Sequence, residues 1–241
     1  MKRIVTRLAA CALFAALIGA CAHKVYGDPD LPVAGKVLGT VVHTRDAEEL
    51  RYVVLRQLTE RYAQQQGIGV TQAEKDAYVR HVKEALAKDR HENAARRAGL
   101  ASRLAAGGLS DTERSRLASE VAALDEFLAA LGKDDAATAD PQEAEARQQV
   151  AAAFILQWKI NRALYKQYGG RVIFQQGGPE PLDAYRRFLE EAQSRGDFRI
   201  VSKDLEATFW RYYRDDGIHS FYPPGSREEA QVFDMPPWFS R

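Results

Sequence analysis

The stretch DAEELRYVVLRQLTERYAQQQG, residues 46–67, decides the fold class of this 241-residue chain. Leu50, Val54, Leu58 and Tyr62 recur at every fourth residue, and Ala47, Val53 and Leu55 widen the stripe. That period is the signature of a helix laying one apolar face on a core. Asp46 followed by Glu49 is a capping-box start. Gly67 can take the left-handed conformation that closes a helix.

The same signals recur downstream. Thr71 and Glu74 open a helix expected to reach about Lys88, with a modest face of Ala73, Ala77, Tyr78, Val82 and Leu86. Residues 89–106 read as helical but weakly amphipathic, and Gly107-Gly108 breaks them. Ser110 and Glu113 form a third box before Leu117, Val121, Leu124, Leu128 and Leu131, a stripe closed by Gly132. Residues 133–140 read as a polar linker. Asp140-Pro141 then gives an N-cap with proline at the first helical position, and the helix runs to Tyr168 before Gly169-Gly170.

Upstream, residues 36–43 (KVLGTVVH) are rich in β-branched side chains and predict one short strand. Residues 22–35 have Gly27, Asp28-Pro29 and Leu31-Pro32 without periodicity, which predicts a tether. After Gly170 the pattern predicts a strand over 171–175, a helix over 182–194, a strand over 198–201 and a helix capped by Ser202 through about Tyr213. The expected fold is mainly α: a helical domain over 36–168 and a small α/β region over 169–241 that ends in an aromatic and proline-rich tail.

Lys2, Arg3 and Arg7 precede an uncharged run over residues 8–20, which ends in small residues before Cys21. This is the layout of a secretory signal peptide, and 13 residues fall short of the roughly 18 a membrane-spanning helix needs. Leu17-Ile18-Gly19-Ala20-Cys21 resembles the lipobox of bacterial lipoproteins. That resemblance implies cleavage after residue 20, diacylation of Cys21 and, because Ala22 is not aspartate, sorting to the periplasmic face of the outer membrane. An ordinary secretory signal cut near Ala22 is the alternative. Cys11 and Cys21 are the only cysteines, so a lipidated mature chain keeps no thiol for disulfides, catalysis or metal binding.

Loss of residues 1–20 removes three of the 34 basic residues and none of the 33 acidic ones, leaving a net charge of −2. That balance argues against nucleic acid as a partner. The apolar content of 46% is ordinary for a chain that buries a core. No G-x-S-x-G, S-x-x-K or H-E-x-x-H is present, and His23, His43, His81, His91 and His219 share no ligand spacing. Gly177-Gly178 ahead of a helix lacks the Lys-Ser/Thr of a phosphate loop, and Pro179-Glu180-Pro181 supplies too few amide donors, so it reads as a turn. Asp215-Asp216-Gly217-Ile218-His219 is the one carboxylate–histidine cluster, and its composition favours a turn over a metal or acid/base site. No catalytic residue, metal or cofactor is expected. Phe209, Trp210, Tyr213, Phe221 and Tyr222 are candidates for a polypeptide-binding groove, although core is the more economical role for the aromatic residues of the 203–213 helix.

The stretch 36–88, with Leu55-Arg56-Gln57-Leu58, Arg61-Tyr62 and Gly67-Ile68-Gly69-Val70-Thr71 leading to Glu74, resembles the N-terminal chaperone domain of SurA-type periplasmic foldases. It covers about a quarter of the chain. The parvulin isomerase domain usual in that family has no counterpart, since 171–201 is too short for it. The resemblance implies polypeptide binding by a helical scaffold and does not support isomerase catalysis. The expected function is therefore a membrane-anchored, non-catalytic, chaperone-like lipoprotein. A structural adaptor of an envelope complex is the alternative, and a prolyl isomerase a more distant one.

Overall fold

The computed structural model describes residues 25–137, 141–175 and 177–239. The protein is mainly α-helical with a small α/β part. The helices are α1 (Ala47–Gln65), α2 (Gln72–Ala105), α3 (Asp111–Ala137), α4 (Pro141–Tyr168), α5 (Leu182–Ser194), α6 (Lys203–Arg214) and α7 (Arg227–Gln231). The strands are β1 (Val25–Tyr26), β2 (Val33–Val37), β3 (Thr40–His43), β4 (Ile173–Gln175), β5 (Gly178–Glu180) and β6 (Phe198–Ile200). The chain forms two units: the residues up to Thr71 together with those from Ala152, and Gln72–Ala151. The expected boundary at 168/169 therefore falls inside the first unit.

In the first unit a four-stranded sheet has the order β1-β3-β2-β6. The single strand expected over 36–43 is a hairpin. Leu38 and Gly39 both have positive φ (48° and 89°), as the tight turns whose twist suits a two-residue hairpin require. The segment expected as a tether is partly sheet: β1 pairs parallel with β3, and Ala34 is buried. A small turn joins β1 to β2, in which the Leu31 N–H donates to the Asp28 carbonyl and the Asp30 N–H to Asp28 Oδ1. On the other side β6 pairs antiparallel with β2 through Gly35↔Ile200 and Val37↔Phe198. The C-terminal strand thus completes an N-terminal sheet.

The α1 stripe lies on this sheet. Leu50, Val54, Leu58 and Tyr62 join Leu164 of α4, Leu189 of α5, Phe198 of β6 and Phe209 and Tyr213 of α6 in one core. Each such side chain contributes roughly 1.5–3 kcal/mol relative to exposure. Asp46 caps α1 through the Glu48 N–H, and Glu49 does not close the expected box because its carboxylate accepts from the Thr44 hydroxyl. β4 and β5 form a separate two-stranded hairpin.

In the second unit α2 is one continuous helix of 34 residues, with no interruption near Lys88. Arg97 to Asp125 at 2.9 Å and Arg90 Nη2 donating to the Leu131 carbonyl place α2 antiparallel to α3. Leu117, Leu124 and Leu131 are buried at intervals of seven, the seam spacing of a coiled coil. The Ser110–Glu113 box forms reciprocally: Glu113 Oε2 accepts the Ser110 N–H at 3.0 Å and Ser110 Oγ the Glu113 N–H at 3.4 Å. Gly132 does not end α3, which runs on to Ala137. A glycine inside a helix costs only about 1 kcal/mol against alanine. Of the expected N-cap pair, Pro141 starts α4 and Asp140 lies outside the described residues, as do Cys11, Cys21 and Ala22.

Candidate functional site

Helix α4 is apolar on two sides within the first unit, and each side meets different neighbours. One side carries Ala153, Leu156, Gln157 and Ile160 and faces Tyr52, Leu55, Arg56, Thr59 and Glu60 of α1 across an open groove of about 220 Å³. Tyr185 of α5 also lines it. The Tyr185 hydroxyl donates to Asn161 Oδ1 at 2.7 Å and accepts from Gln157 Nε2 at 2.8 Å. Asn161 Nδ2 donates onward to the Pro179 carbonyl at 2.9 Å. Burial pushes the Tyr185 phenol well above its ordinary pKa, so it stays a neutral donor. At the rim Arg56 Nε donates to Glu60 Oε1 at 2.9 Å. An apolar trough with a few polar side chains and a charge pair among its lining residues can accept an apolar side chain.

The other side of α4 carries Trp158, Arg162 and Tyr165, about 160° round the helix from the groove at 100° per residue. It is covered by the C-terminal tail. Trp158 meets Trp238 edge-on with ring centres 5.7 Å apart and Phe233 at 6.4 Å, and Phe233 lies 5.1 Å from Tyr165. Arg162 sits over the Trp158 ring at 5.4 Å.

Two polar clusters fasten the elements between these surfaces. Arg171 Nε and Nη2 hold both oxygens of Asp183 at 2.9 and 3.1 Å, and Nη1 and Nη2 hold Asp216 at 2.7 and 3.0 Å. Burial opposes the Asp183 charge, but the Arg171 hydrogen bonds and the charges of Arg171 and Arg186 outweigh it and hold the carboxyl below the usual range. Gly170 is required beside this clamp: its φ is +95°, and an added Cβ would collide with the Asp183 Cβ. In the second cluster the Tyr212 hydroxyl donates to Glu180 at 3.0 Å and accepts from Gln175 Nε2 at 2.9 Å. Arg51 stacks on the Tyr212 ring at 4.0 Å. Desolvation raises the Glu180 pKa, against the lowering effects of Tyr212, His219 and Arg51.

Of the residues singled out in the sequence, Phe209, Trp210 and Tyr213 are buried and form a ring cluster with Phe198. They are core side chains: Phe209 and Tyr213 are fully enclosed, and Trp210 shows only an edge in a shallow surface depression. Phe221 is half-buried beneath Arg171, whose guanidinium is 4.5 Å from its ring. Tyr222 stacks at 3.7 Å on the exposed Phe174. The five residues do not converge on one groove. The 215–219 cluster is a turn. Asp215 caps the Gly217 N–H, Asp216 serves Arg171, and His219 Nε2 reaches the Tyr212 carbonyl at 2.6 Å. Because a carbonyl only accepts, that nitrogen carries the proton. Among the described residues no group of three metal-ligating side chains occurs, and no helix is long and apolar enough to cross a membrane.

Sequence reasoning missed the groove. Its α1 side lies just outside the main stripe, and its α4 side is readable only from a helix that is apolar on more than one face. A helix apolar on several faces is covered on each of them or left with an exposed one. No protein-family model, curated protein or solved structure matches the chain.

Proposed function

We propose that this protein binds polypeptide without catalysing a reaction, as a lipid-anchored protein on the periplasmic face of the outer membrane. The observation that carries the binding is the open groove between α1 and α4, where Tyr52, Leu55, Leu156 and Ile160 provide apolar contact. An unfolded client offers apolar side chains on a chain of unpaired amides, and the groove pairs apolar walls with the polar Gln157 and Tyr185. The resemblance of residues 36–88 to the foldase chaperone domain supports the same class. The lipobox-like residues 17–21 supply the anchor; several acyl chains on Cys21 hold a protein at a membrane where one alone would not.

The test is aggregation of an unfolded outer-membrane protein in the presence of the mature chain. Suppression at stoichiometric protein is expected, with loss in a Leu55→Ser/Leu156→Ser variant of unchanged circular dichroism. Aggregation unaffected by the wild-type protein overturns the reading. The anchor is tested apart: Cys21→Ser is expected in the soluble periplasmic fraction, and its retention in membranes refutes the lipid attachment.

A further inference from the structure

The groove is one of two surfaces on α4, and the second is already occupied. Residues 223–239 leave the body of the first unit after Tyr222, whose N–H donates to the Val172 carbonyl at 2.9 Å. Beyond that point the backbone hydrogen bonds of the tail close on itself: Ser226 N–H to Pro223, Asp234 N–H to Gln231 and Phe239 N–H to Pro236. Its short α-helix is capped internally by Ser226 and by Glu229, which accepts the Gly225 N–H. Phe233 and Trp238 pack their rings on Trp158 and Tyr165 of α4.

The packing leaves α4 incompletely satisfied. Trp158 is only 7% exposed, yet its Nε1–H has no partner among the described residues, and neither has the buried Nε–H of Arg162. A buried donor without an acceptor costs about 1–3 kcal/mol. Each donor is one that a passing main-chain carbonyl would satisfy. On the tail's far side Met235 and Phe239 remain 59% and 49% exposed, so the segment carries apolar side chains that its present seat does not bury.

We propose that the Trp158–Arg162–Tyr165 face of α4 is a recognition site for a short apolar polypeptide segment bearing two aromatic rings about five residues apart, and that residues 233–239 occupy it as an internal strap. An incoming segment of that chemistry competes with the strap, supplies carbonyls to Trp158 and Arg162, and releases the tail. The inference rests on polypeptide binding as the class of function and not on the groove.

The experiment uses the full mature chain and a fluorescein-labelled peptide of sequence 226–241. A Phe233→Ala/Trp238→Ala variant, whose strap is weakened, is expected to bind the peptide at least about tenfold more tightly than wild type, the ratio for a site closed roughly nine-tenths of the time. Adding Trp158→Ala is expected to abolish binding. Equal affinity in both chains, or no binding to the double variant, overturns the proposal. Hydrogen exchange on the unaltered chain needs no variant. The amides of 226–239 are expected to exchange at least about a hundredfold faster than those of β6, as a segment that opens locally does; equal protection makes the tail a permanent part of the core. The Leu55→Ser/Leu156→Ser variant is expected to keep peptide binding, which separates failure of the groove from failure of the strap. A wild-type dimer that dissociates on Phe233→Ala/Trp238→Ala would seat the tail on a second copy and overturn the internal assignment.

Discussion

The clamp around Arg171 and the tail-covered face of α4 lie in the same unit and treat polar groups in opposite ways. At the clamp one guanidinium meets four carboxylate oxygens in two bidentate pairs, and the Arg171 N–H takes a further bond to Asp183. On the covered face two buried N–H groups of α4 have no acceptor among the described residues. Unpaired buried donors are expensive and therefore rare. The contrast teaches where permanence lies: paired charge ties the segment leading into β4, α5 and the 215–219 turn together, while ring packing seats the strap on α4. Breaking a paired group should cost much. Removing an unpaired one should cost nothing.

The largest expected effect is at the clamp. Arg171→Ala leaves the buried Asp183 carboxylate without its partner, with an expected loss of about 3 kcal/mol in urea unfolding. Asp183 and Asp216 are held below their ordinary pKa, the first by Arg171 against its own burial and the second foremost by the Arg171 hydrogen bond. Folded values below the unfolded ones mean that the stabilisation is present above about pH 4 and is lost as pH falls through the folded values. The wild-type stability should therefore drop in acid, and the Arg171→Ala curve should be flatter there. An equally steep acid limb in the variant would assign that limb to other carboxylates.

Tyr185→Phe comes next. It removes a hydroxyl bonded to both Asn161 and Gln157 and leaves Asn161 Oδ1 with the Gln157 amide as its donor, at an expected cost of about 1 kcal/mol for the two lost bonds. Glu180 tests the intermediate case, a bonded but strongly desolvated carboxylate. Its raised pKa means that its contribution is fully present below the unfolded value near 4.5 and declines as pH rises through the folded one. Glu180→Gln keeps an acceptor for Tyr212 without the charge. It should remove that decline, so the variant gains on wild type as pH rises above about 4.5. A constant difference as pH rises would show that the charge is not the cause.

What the sequence made legible follows the same division between local and distant causes. The boundaries of α5 and α6 follow from Pro181, Arg195-Gly196 and the Ser202 cap, all local signals, and Ser202 does accept from the Leu205 N–H. The hairpin at 38–39 was hidden because leucine is a poor residue for positive φ, so the turn shows only in Gly39. The pairing of β6 with β2 spans more than 150 residues and carries no local mark, which is why residues 22–35 looked like a tether. The aromatic residues of α6 announced themselves by composition, but whether a ring is core or surface depends on what packs above it. The groove lies between two helices whose faces are each unremarkable alone.

The smallest expected effect is the sharpest probe of the comparison. The Tyr213 side chain is fully buried, and its hydroxyl has no partner among the described residues. Burial, and next the negative charge of Glu180, push its pKa far up, so the group is a neutral phenol at every ordinary pH. Tyr213→Phe deletes one polar atom and preserves the ring packing against Phe209 and Trp210. Folding strips that hydroxyl of water and returns no bond, so its loss should be neutral or stabilise by up to about 1 kcal/mol. The opposite sign is expected from Tyr185→Phe on the neighbouring helix, although the chemical change is identical. Midpoints of urea unfolding at unchanged slope would read both. If Tyr213→Phe costs as much as Tyr185→Phe, its hydroxyl is bonded after all.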